Sequence, residues 1–108
     1  MNVDIYSDLP GDDINAEELK LLNLINQYRN QNNLSSIPVS KALSTVANRH
    51  VWDLAENIGS LTHGWSDAPY DRGNPATYSS MWRAPQRFNT GYLGTGYENA
   101  HGGSGGYI

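Results

Sequence analysis

Apolar positions recur at helical spacing in two early stretches of the chain and lose any period after about residue 59. In the first stretch Leu21, Leu22, Ile25 and Tyr28 share one helical face. Asn15, followed three residues later by Glu18, has the form of a capping box, and the polar run Asn30 to Asn33 ends the pattern. The spacing therefore predicts a helix over Ala16 to Gln31. Pro38 has no place inside a helix and Ser40 is a good cap, so the second stretch starts there. Leu43, Val46, Ala47, Val51, Leu54 and Ala55 form its stripe as far as Gly59, which predicts a helix over Lys41 to Asn57.

His50 falls in the middle of the second stripe. Two roles are open to it: a buried imidazole satisfied by a carbonyl or hydroxyl, or a metal-binding or catalytic group. Trp52 projects from the opposite face, beside Thr45, Asn48 and Arg49, and calls for a cover that the loop after residue 60 is placed to provide. Beyond residue 59 Gly, Pro, Ser, Asn and aromatic residues dominate, so turn chemistry replaces periodicity. No internal repeat is visible.

Composition narrows the field. A chain of 108 residues supports one domain with one core. The net charge of −4 gives no basic field for a phosphate backbone, which argues against nucleic acid. No apolar run approaches the ~20 residues needed to span a bilayer, and MNVDIYSDLPGDD has neither the basic start nor the apolar centre of a secretory signal. Residues 1–14 read as a flexible N-terminal segment and 15–108 as the domain proper. With no cysteine, any metal must be held by His, carboxylate or carbonyl ligands.

Candidate chemistry sits in the aperiodic half. The stretch LTHGWSD, residues 61–67, places His63 just past the second helix, although Ser66 and Asp67 also suit a plain surface turn. The tail GYLGTGYENAHGGSGGYI, residues 91–108, carries Glu98 and His101 but no lysine or arginine. Its Tyr92, Leu93, Tyr97 and Tyr107 set it apart from a Gly/Ser linker, so it is expected to lie against the rest of the molecule. Asp71, Arg72, Arg83 and Arg87 are spaced for local ion pairs, each worth under about 1 kcal/mol when exposed. GTGYEN echoes a dinucleotide loop, but Asn99 occupies the third glycine position and no βαβ unit follows. The triplet Asn33-Leu34-Ser35 has the form of a glycosylation acceptor, which has meaning only in a eukaryotic secreted chain.

The order of these features is more specific than any one of them. A helix with NLINQYRNQNNL, then IPVSKALSTVANRHVWDLA, then LTHGWSD, then GYENA resembles the SCP-like domain of the CAP superfamily, which includes cysteine-rich secretory proteins, antigen 5 and pathogenesis-related 1. The likeness covers roughly residues 18–102. It implies an α+β fold, an α-β-α sandwich of which this chain holds the N-terminal half: two helices, a long irregular loop and one or two short strands. His63 matches the first histidine of the family's cavity, Glu98 its first glutamate and Asn99 the following asparagine. Tyr97 stands where the family usually has glycine, and a second glutamate and second histidine have no counterpart before Ile108.

The resemblance further implies that Glu98 rides on a strand aimed at His63, where a carboxylate fixes the imidazole tautomer. It implies a cavity for zinc or another divalent metal held by His63 and Glu98, with His101 as a further candidate ligand, and weak binding by this chain alone. An extracellular location and a lipid, glycan or protein partner follow from the same likeness, as does a continuing or partner chain to complete the sheet. Two other functions stay open: a metal-assisted or His/Glu-based hydrolase with His63 and Glu98 as its catalytic pair, and a structural piece of a larger assembly.

Overall fold

The first helix, α1, spans Ala16–Gln31 in the computed structural model, which describes residues 2–104 and 106–108. Both halves of its capping box form: the Asn15 side chain accepts from the Glu18 N–H and the Glu18 carboxylate accepts from the Asn15 N–H, each at 2.8 Å. The segment after α1 folds back on it. Asn26 pairs with both backbone groups of Ile37, at 2.7 and 2.9 Å, and the Arg29 Nε donates to the Ser35 carbonyl. No residue of α1 is buried, and Leu21, Leu24, Ile25 and Tyr28 leave an uncovered apolar face.

Helix α2 covers Lys41–Trp52, with the Ser40 hydroxyl accepting from the Leu43 N–H at 3.1 Å. The sequence predicts an α-helix continuing to Asn57; instead Asp53–Ile58 form a π-helical turn. It closes at Gly59, whose φ of 82° suits glycine and whose N–H donates to the Leu54 carbonyl. Polar ties pin this turn from three sides. The fully buried Asp53 carboxylate accepts from the Ser66 N–H, the Ser66 hydroxyl and the Asn57 amide, at 2.8, 2.6 and 2.7 Å. Asn57 in turn holds both backbone groups of Val3.

Within the N-terminal segment, Val3, Ile5, Pro10 and Asp12 are tied to α2 and to the π-helical turn. Ile5 is 4% exposed and forms the core with Trp65 and Ala84, flanked by Val46, Ala68 and Phe88. The buried Arg49 guanidinium clasps the segment: Nε and Nη2 donate to the two oxygens of Asp12 at 2.9 and 2.7 Å, and Nη1 donates to the Ile5 carbonyl at 2.9 Å. Asp8 stands 3.4 Å from Nη2. Trp52 also belongs here. Its indole N–H donates to the Pro10 carbonyl, so its polar tie is to the N-terminal segment rather than the loop after residue 60.

The aperiodic half contributes a 3₁₀ turn, Pro75–Thr77, and two short helices, α3 (Ser79–Trp82) and α4 (Ala84–Arg87). The ion pairs expected among Asp71, Arg72, Arg83 and Arg87 do not form among the described residues; Asp71 caps its own turn at the Gly73 N–H, and Arg87 lies over the Trp65 and Phe88 rings. The tail does lie against the body. Gly96 donates its N–H to the Trp82 carbonyl, and a Cβ there would come within 2.9 Å of Pro85 Cγ. Glu98, expected on a strand, sits in an irregular segment. The strands are β1 (Gly102–Gly103) and β2 (Gly106–Tyr107), an antiparallel pair with Gly102 opposite Tyr107. Four α-helices and this two-stranded sheet make the described residues a mixed α+β domain. No helix among them is long and apolar enough to cross a membrane.

Candidate functional site

His50 reaches the site from the buried face of α2. The residue is 5% exposed, and its ring lies 4.7 Å from the Trp65 ring. Nε2 is 3.1 Å from the Thr62 carbonyl, and because a carbonyl can only accept, this nitrogen carries the proton of the neutral ring. Burial holds His50 below the ordinary imidazole value, against the opposing pull of the Glu98 carboxylate. Of the two roles open to His50, the hydrogen bond to backbone is present, and the ring also lines the cavity described below.

His63 comes from the loop that follows the π-helical turn, and its side chain is about half exposed. Its Nδ1 is hydrogen-bonded to Glu98 Oε1, and its ring makes a T-shaped contact with Tyr70, which stacks in turn on Tyr78. Glycine makes the loop possible. A Cβ at the buried Gly64 would stand 2.4 Å from the Tyr70 backbone nitrogen, so only glycine lets His63 and Trp65 flank this close approach. Across the gap, the other Glu98 oxygen lies 3.8 Å from His50 Nε2. One carboxylate therefore stands between two imidazoles.

These groups border a cavity of about 360 Å³. Leu43, Val46, Val51, Trp65, Met81 and Pro85 give it apolar walls, and His50, His63, Thr95, Glu98 and Asn99 contribute its polar groups. The structure thus brings His63 and Glu98 together across 35 residues of sequence. It leaves His101 exposed beside β1, its backbone paired with Ile108, and off the cavity wall. Sequence reasoning missed Thr62, Trp65 and Tyr70 as site residues. Trp65 had a readable signal, since a large aromatic residue inside a turn-rich heptapeptide needs burial.

A histidine whose Nδ1 is held by a carboxylate presents Nε2 as a base or a ligand. Zinc usually takes three or four protein ligands, and the chain offers His63 and Glu98. No cluster of three or more His, Asp or Glu side chains suited to a metal ion occurs among the described residues. Among the described residues the donors brought into contact, His63 and Glu98, number fewer than a zinc centre usually takes.

Fold and site together define a small α+β domain with a His–Glu pair at the edge of an apolar cavity. The family model described as CAP: Cysteine-rich secretory protein family matches residues 22–103, well over half of the chain. The chain belongs to the cysteine-rich secretory protein (CAP) family. No curated protein and no solved structure matches it significantly.

Proposed function

We propose that this chain is a secreted CAP-family binding domain that takes an apolar molecule into the cavity beside His63 and Glu98. The observation that carries the reading is the cavity itself: its volume of about 360 Å³ falls within the ordinary range of small-molecule sites, and its walls are mainly aliphatic and aromatic. Such walls suit a lipid-like partner better than a glycan, whose hydroxyls would lose water without finding enough partners. Extracellular placement follows family membership. A divalent cation at His63 and Glu98 would be held weakly, for want of further ligands.

The test is titration with Nile red, an uncharged dye that brightens in apolar surroundings. A saturable one-to-one rise is expected, and Ala47→Phe should abolish it, because Ala47 lines the cavity from an exposed position and a larger side chain there fills the space. Binding without saturation, or unchanged by that substitution, would place the dye on outer surfaces such as the uncovered face of α1 and refute the proposal.

A further inference from the structure

We infer that the cavity selects apolar molecules with a primary-amine head over those with a carboxylate head. The inference rests on the cavity-binding reading above and assigns its ligand class. Among the described residues Glu98 is the one formally charged acidic or basic side chain on the cavity wall; no lysine or arginine of them lines it. Arg87, over the Trp65 ring, lines a separate groove with Arg83, Ser79 and Ser80.

Hydrogen-bonding capacity points the same way. Glu98 Oε1 is engaged by His63 and Oε2 has no hydrogen-bond partner. Thr95 and Asn99 supply neutral donors on the cavity wall, but no lysine or arginine among the described residues pairs with Glu98. An ammonium supplies three donors, no acceptor and a charge opposite to that of Glu98. A hydroxyl supplies one donor and no charge. A carboxylate supplies acceptors alone and sets a like charge beside Glu98 in a site of low polarity, where repulsion is poorly screened.

The experiment compares decylamine, decanol and decanoate as competitors of Nile red on the full chain. It runs at about pH 8, where an ordinary imidazole is neutral and an aliphatic amine is charged. Decylamine is expected to displace the dye at a concentration about tenfold below decanol, with decanoate weakest. In Glu98→Gln, with the fold checked by circular dichroism, the ratio between amine and alcohol should fall towards one. Decanoate binding as well as decylamine, or an amine preference unchanged in Glu98→Gln, overturns the head-group assignment and leaves the cavity a binding site. No displacement by any of the three overturns the cavity-binding reading and this inference with it.

Discussion

Replacing Asp12 by Asn should loosen the N-terminal segment from α2 by an amount that depends on pH in a defined way. The Arg49 hydrogen bonds hold the Asp12 carboxyl at about 2, down from an ordinary 3.8, despite partial burial that acts in the other direction. Nearly two pKa units, at about 1.4 kcal/mol each, amount to about 2 kcal/mol once the residual exposure of Asp12 is allowed for. The folded value lies below the unfolded one, so this stability is fully present above about pH 4. It is lost as pH falls through the folded value, with about half gone by pH 3. Asp8, 3.4 Å from the same guanidinium, can take over part of the charge and keeps the cost below that of a wholly unpaired buried arginine. Urea unfolding of both proteins between about pH 7 and pH 3 reads the difference directly. A gap of about 2 kcal/mol near neutrality that narrows on acidification is expected. A gap below about 0.5 kcal/mol at neutral pH, or one that stays constant down to pH 3, would refute the assignment of this stability to the Asp12–Arg49 pair.

Gly64→Ala should destabilise the domain by about 1–3 kcal/mol, the usual cost of overpacking, because the new methyl group meets backbone rather than a side chain that can yield. The His63 ring signals should shift in the same variant; a urea midpoint and His63 chemical shifts equal to the parent's would contradict the close approach described. Calorimetric titration of zinc should show weak or no binding, as expected from two protein ligands. Tight one-to-one binding abolished by His63→Ala would show that His63 and Glu98 suffice.

Local signals carried the helices further than the site. The bounds of α1 were readable because the Asn15–Glu18 box and the following asparagine run act within a few residues. The start of α2 was readable for the same reason, but its end was not: the apolar stripe has the same appearance whether the last turn is α or π. Asp53, central to that turn, is tied to Ser66, thirteen residues on. The acidic stretch DLPGDD resembles a solvated charge run until Arg49 is placed beside it, and nothing in the spacing announces that pair. His63 and Glu98 illustrate the same limit. Periodicity put neither near the other, and family resemblance supplied the pairing that the structure displays.

The π-helical turn has a consequence for how this chain tolerates insertions and deletions. A π turn holds one residue more than an α turn, so Asp53–Ile58 act as a phase shifter between α2 and the loop carrying His63. Deleting one residue within this span would allow ordinary α-helical hydrogen bonding and improve local regularity. The same deletion would turn everything after it by roughly 100° about the helix axis. Gly59 would then release the chain in another direction, taking Thr62 from the His50 ring and Ser66 from Asp53. Length changes in the tips of surface loops cost a protein little; here a deletion that shortens the chain by one residue rotates its site.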